Sequence, residues 1–165
     1  MSLEIREADF NSRNDIEAFV GALENCVSEI WSRHGEFGFL AREWAVGFFI
    51  GRFMRQDHVK EGEYVNTRFY VISEGGVVQA IGLRFPAYLI PLNPIIEVIP
   101  LLAGKDVSGM YTALATKLKA EGYPKIYCHI IRGSTLEGTV PLRGKIADYP
   151  QPPRRRVYTL WEMNV

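Results

Sequence analysis

Cysteine is scarce: Cys26 and Cys128 are the two in 165 residues, on apolar segments far apart in sequence. That fits buried free thiols in a reducing compartment better than a disulfide framework. No run of about 18 apolar residues occurs, so no membrane-spanning helix is expected. The first residues lack the basic-then-apolar pattern of a secretory signal, and a cytoplasmic location is the expectation. Excess charge of either sign is missing as well, with Lys+Arg and Asp+Glu at 19 each. No global pull toward nucleic acid or an anionic membrane follows, and neither is expected as a partner. His34, His58 and His129 form no metal-ligand spacing, and Cys128 and His129, adjacent on a strand, face opposite sides. Repeats are absent, as are a Gly-x-Ser-x-Gly elbow, a Walker loop and a Cys-x-x-Cys pair.

What is present is an ordinary folded composition, 47% hydrophobic and 23% charged, at a length that suits a single domain over 1–165. Leu3 to Ala8 alternates apolar and polar residues, which predicts a strand. Ile16, Phe19, Val20, Leu23, Val27, Ile30 and Trp31 then recur at helical spacing and predict an amphipathic helix closed by Gly35. A second helix follows in "GFLAREWAVGFFIGRFMRQD". Its aromatic stripe, with Trp44, Phe48, Phe49 and Phe53, reads either as core or as a cleft wall or partner surface. "TRFYVIS" and "VVQAIGLRF", joined by Glu74-Gly75-Gly76, predict a hairpin. A strand is expected over Ile95 to Ile99, after the breaks at Pro91, Asn93 and Pro94. Met110, Tyr111, Leu114, Ala115 and Leu118 share the face of a further helix that stops at Gly122. "YPKIYCHIIRG" predicts another strand. Beyond Ile131 glycines and prolines hide any helix, and one strand is clear, Arg156 to Met163. Arg154, Arg155 and Arg156 read as a charged strand edge or as a site for an acidic partner.

This order, βααβββαβ(β)β, resembles that of the GNAT superfamily of acyl-CoA-dependent N-acyltransferases over roughly Leu3 to Ile131. The specific part is "EVIPLLAGKDVSGMYTALATKLKAEGYPKIY". Glu97-Val98-Ile99-Pro100 resembles the end of that family's fourth strand, Gly104-Lys105 its loop, and "ALATKLKAEGYPKIYCHI" its central helix and fifth strand. The resemblance implies an α/β (α+β) fold with a mixed, mostly antiparallel sheet flanked by helices. It also implies acetyl-CoA, or another acyl-CoA, as cofactor, with Val98, Ile99, Gly104, Lys105, Asp106, Val107, Ser108 and Gly109 around it. In the family loop, Gln/Arg-x-x-Gly-x-Gly/Ala, backbone N–H groups at a helix N-terminus hold a pyrophosphate. Laid on this chain without a gap, those three positions are Ala103, Asp106 and Ser108. Asp106 or Ser108 also reads simply as the N-cap of the helix.

Acyl transfer to an amine needs a base for the ammonium proton and an acid for the leaving thiolate. The resemblance makes Glu97 the candidate base, and its apolar run "IIEVI" predicts a raised pKa. The plainer reading is a strand glutamate facing solvent. Tyr149 and Tyr158 are the tyrosines available in the tail, and nothing in their spacing marks either as the acid. Two functions follow as expectations. One is N-acetyl transfer from acetyl-CoA to a primary amine, of a small molecule or peptide; the other is an inactive domain of the same fold serving as a binding or assembly module. A homodimer is compatible with both.

Overall fold

The computed structural model describes residues 2–9, 11–31, 68–86, 94–101, 106–150 and 157–165. The aromatic second helix, Ala103, Gly104, Lys105 and the arginine run lie outside the described residues. In chain order the elements are β1 (Leu3–Glu7), α1 (Arg13–Trp31), β2 (Arg68–Glu74), β3 (Val77–Pro86) and β4 (Pro94–Pro100). They continue with α2 (Val107–Ala120), β5 (Tyr127–Ile131), α3 (Thr135–Thr139), β6 (Leu142–Pro150) and β7 (Val157–Met163). The strands form a seven-stranded sheet in the order β1-β2-β3-β4-β5-β7-β6. β1 with β2, β5 with β7 and β6 with β7 are antiparallel, and β4 with β5 is parallel. Among the described residues no helix is long and apolar enough to cross a membrane.

Two compact units are distinguished, one of Met1–Leu83 with Ile99–Lys105, the other of Arg84–Val98 with Asp106–Val165. In the first, β1 pairs with β2 from Leu3↔Glu74 to Glu7↔Tyr70. The hairpin between β2 and β3 turns on Gly75 and Gly76, both at positive φ (56° and 77°), which a side chain would oppose. The core holds Phe19 of α1 edge-on against Phe69 of β2, ring centroids 4.7 Å apart. α1 starts on an ion pair: Arg6 of β1 donates twice to the Asp15 carboxylate, at 2.6 and 2.8 Å, and the Asp9 amide donates to it at 2.8 Å. Asp15 is buried, and the Arg6 hydrogen bond outweighs that burial, holding its carboxyl below the ordinary range.

In the second unit α2 buries Met110, Tyr111, Leu114, Ala115 and Leu118, the stripe predicted from spacing. It ends where Gly122 takes a φ of 108° while the Gly122 amide donates to Lys119 O and the Tyr123 amide to Leu118 O. That is a Schellman closure, and the positive φ is why glycine stands there. β5 is buried on both faces at Tyr127, Cys128 and Ile130, as a strand with neighbours on both edges must be. The segment after β5 departs from expectation. It contains a short helix, α3, which the glycines and prolines had hidden, and a full strand, β6, at the place of the bracketed strand in the expected order. The Gly133 amide donating to Glu137 Oε2 and Ser108 Oγ donating to Thr139 O hold α3 at its two ends.

Candidate functional site

β4 and β5 pair at Ile95↔Tyr127 and Ile96↔Cys128 and share no paired position beyond them. β5 instead remains paired with β7 along its whole length, from Tyr127↔Glu162 to Ile131↔Tyr158. Among the described residues, no strand is paired with that edge of β4 from Glu97 onward. Unpaired strand edges carry free N–H and C=O groups and accept an added extended chain.

Glu97 and His129 are the first residues past the last paired position, one on each strand. Their side chains face each other, with His129 Nδ1 3.9 Å from Glu97 Oε1. Among the described residues the Glu97 carboxylate accepts no hydrogen bond. Burial pushes it up to about 7, while 39% of its side chain remains open to solvent. The predicted rise at Glu97 is thus present with the predicted cause, desolvation. His129 is less open, and burial lowers its imidazole. One position before His129 on β5, and paired with Ile96, the Cys128 thiol is pushed up to about 12, by burial first and by Glu97 second.

Val98 and Ile99 are buried on β4. Asp106 is the N-cap of α2, its carboxylate accepting from the Gly109 amide at 3.0 Å. Gly109 leaves room for that cap: a Cβ there would come within 2.6 Å of Asp106 Oδ2. Ser108 Oγ donates to Thr139 O at 2.7 Å, so its hydroxyl is engaged by α3. Of the first-turn amides of α2, Gly109 serves the cap, whereas Val107 and Ser108 have no acceptor within the helix, as first-turn amides do not. Tyr149 and Tyr158, the tyrosines of the tail, are register partners on β6 and β7.

Sequence reasoning passed over His129 as anything but a metal ligand. The signal lay in the strand–helix–strand order around α2. A crossover of that kind makes its strands parallel, and equal offsets from the paired residues then set position 97 beside position 129.

No family model matches the chain, and no curated protein matches it in sequence. Solved structures do match in fold over nearly the whole length. An N-acetyltransferase from Staphylococcus aureus Mu50 is similar with a TM-score of 0.61 at 12% identity, covering 99% of both chains. RimL, the ribosomal L7/L12 α-N-protein acetyltransferase, in complex with coenzyme A, has a TM-score of 0.61 at 15% identity, over 98% of this chain and 93% of its own. The yncA protein of Salmonella typhimurium, solved with its cofactor acetyl-CoA, has a TM-score of 0.57 at 16% identity, over 99% and 94%. The chain has the fold of the GNAT N-acetyltransferases.

Proposed function

We propose that this chain is an N-acyltransferase that carries an acyl group from acetyl-CoA, or another acyl-CoA, to a primary amine of a small molecule or peptide. The observation that supports it most is Glu97, the first residue of β4 past its last pairing with β5, with its proton affinity brought to about 7. Such a carboxyl is half ionised near neutral pH and takes a proton from an ammonium group there more readily than an ordinary glutamate would. Glu97 Oε accepts the proton, and the amine nitrogen is left with the lone pair that attacks.

Acyl-CoA, when bound, supplies the activated thioester. The residues of this chain fit it unevenly. The unpaired edge of β4 at Val98 and Ile99 suits an extended, amide-bearing arm. The N-terminus of α2 offers the Val107 and Ser108 amides to a diphosphate, with Gly104 and Lys105 preceding them in sequence. Gly109 is held by Asp106, whose negative charge opposes a second anion. That cap favours a second reading, a domain of the same fold that binds a partner and transfers nothing.

Thermal unfolding with and without acetyl-CoA separates the two. At 100 times its dissociation constant the cofactor should add about 2.7 kcal/mol to the native state. No shift at millimolar acetyl-CoA, in a protein shown to be folded, removes the enzyme reading.

A further inference from the structure

The seven-stranded sheet ends on β1 at one side and on β6 at the other. β6 is guarded against pairing with another strand: its register shifts twice, the exposed Lys145 stands on it, and it runs out in Pro150. β1 carries none of these devices. Its register against β2 is unbroken from Leu3↔Glu74 to Glu7↔Tyr70, and it holds neither lysine nor proline. Among the described residues no strand pairs with its other edge. We infer that the outer edge of β1 is an interaction surface for a second copy of this chain, the two β1 strands pairing antiparallel about a two-fold axis at Ile5.

The backbone decides which residues can take part. The Ala8 amide donates to Phe69 O, one step beyond the Glu7↔Tyr70 pair, so Ala8 turns its hydrogen-bonding groups toward β2. Antiparallel ladders alternate. Arg6 and Glu4 therefore also face β2 with their backbone, while Leu3, Ile5 and Glu7 aim N–H and C=O at the outer edge. Glu7 O accepts from the Arg6 guanidinium at 3.3 Å and keeps a second lone pair. Centred on Ile5, the two strands set Ile5 opposite Ile5 and Leu3 opposite Glu7, outward residues throughout. Each such pair exchanges both of its N–H···O=C bonds.

Charge selects that register. Glu4 and Arg6 share the face of β1 on which Arg6 meets Asp15 of α1. Centring on Ile5 puts Glu4 opposite Arg6 of the second copy, and by symmetry the reverse, at the close spacing of a non-hydrogen-bonded pair. Centring one residue to either side sets Glu4 against Glu4 or Arg6 against Arg6, and like charges directly opposite destabilise. Centring on Leu3 or Glu7 leaves most of the 5-residue strand unpaired. Arg6 is also prepared for the contact. Nη1 and Nη2 donate to Asp15, and Nη1 donates to Glu7 O as well. That leaves Nε–H and an Nη2–H, which form one side of the guanidinium and grip a carboxylate as a fork. Asp15 already holds the side chain, so little further freedom is lost on pairing, and 57% of it stays open to solvent. On the other face Ile5, half-buried in one chain, meets Ile5 of the second. So short a contact is smaller than a standard interface, and association in the micromolar range or weaker is expected.

Sedimentation of the whole chain without cofactor or acceptor, from micromolar to millimolar concentration, reads the association directly and independently of acyl transfer. A monomer–dimer equilibrium is expected, weakened by added salt. Glu4→Arg sets arginine opposite Arg6 in both symmetric pairs, and it is expected to raise the dimer Kd roughly tenfold or more. Its melting temperature at micromolar concentration should stay at the parental value. Cysteine reads the register, in a Cys26→Ser background with Cys128 buried. Ile5→Cys places two Cα atoms about 5.5 Å apart, inside the disulfide range of about 4.4–6.8 Å. Leu3→Cys places them more than about 12 Å apart. Mild oxidation is expected to cross-link I5C into a covalent dimer and to leave L3C a monomer. A folded parent chain that sediments as a monomer up to millimolar concentration overturns the proposal. So does a dimer whose Kd is unchanged in E4R, or one in which L3C cross-links as readily as I5C.

Discussion

Replacing Asp106 by alanine is expected to weaken the protein and improve its hold on coenzyme A at the same time. The carboxylate accepts from the Gly109 amide and satisfies one of the orphan donors of α2. Removing such a cap costs about 1 kcal/mol, which in a chain of this size lowers the melting temperature by about 2–4 °C. Gly109→Ala probes the same contact from the other side. Its Cβ would meet Asp106 Oδ2 at 2.6 Å and push the cap aside. The cap loss of about 1 kcal/mol is then offset by the roughly 0.5–1 kcal/mol that alanine gains over glycine inside a helix. G109A alone should be close to neutral. In a D106A background the clash is gone and the same substitution should stabilise by about 0.5–1 kcal/mol. Urea unfolding of the four proteins gives the cycle, with an expected coupling of about 1 kcal/mol. Additivity within about 0.3 kcal/mol would refute the cap. Asp106→Asn separates the two roles, since asparagine caps nearly as well without the charge. It should keep stability within about 0.5 kcal/mol of the parent and bind acetyl-CoA more tightly. Unchanged binding in both Asp106 variants would show that the carboxylate does not compete with the cofactor.

Asp15 and Arg6 make stability depend on acid. The Asp15 carboxyl is depressed in the folded chain, so its contribution is present above the unfolded value of 3.8 and is lost as pH falls through the folded one. Asp15→Asn should cost about 2 kcal/mol at pH 7, discounted because Arg6 is half exposed, and the gap should close toward pH 2 in chemical unfolding. Glu97 carries the opposite sign. Its folded pKa of about 7 exceeds the unfolded 4.5, so its contribution is present below 4.5 and lost as pH rises through 7. Glu97→Gln should therefore be more stable than the parent at pH 8, with the advantage gone at pH 4.5. A parent and variant with parallel profiles would mean that the carboxyl is not desolvated. Cys128, buried with its thiol pushed up to about 12, should resist iodoacetamide at pH 8 in a Cys26→Ser background until the protein is unfolded. Rapid alkylation of the folded chain would contradict that.

Much of the fold could be read where local chemistry and tertiary demand agree. α2 is the best case: an aspartate at its start, an apolar stripe at helical spacing and a glycine whose positive φ closes it all point the same way. β6 was legible only as the optional strand of the order, because its register shifts between Leu142 and Gly144 and again between Lys145 and Ala147. Each irregularity breaks the alternation on which strand reading depends. α3 was hidden by its brevity, five residues held by side-chain contacts rather than by propensity. At the site, the raised carboxyl was legible in the apolar residues around Glu97. The cap was legible as one of two roles for Asp106, and only the Gly109 amide contact shows that the carboxylate takes it. The partnership with His129 was not, because it depends on where two strands stop pairing, and no residue type in either strand reports that.

The central claim is that Glu97 removes a proton from an amine so that the amine can take the acyl group. Its most direct test is release of free coenzyme A thiol from acetyl-CoA in the presence of a panel of primary amines, from pH 5.5 to 8.5, by the parent chain and by Glu97→Gln. The account predicts amine-dependent release that rises with pH through about 7 in the parent, and a rate lower by about 10²-fold or more in the variant. Equal rates and equal pH profiles in the two proteins would contradict it.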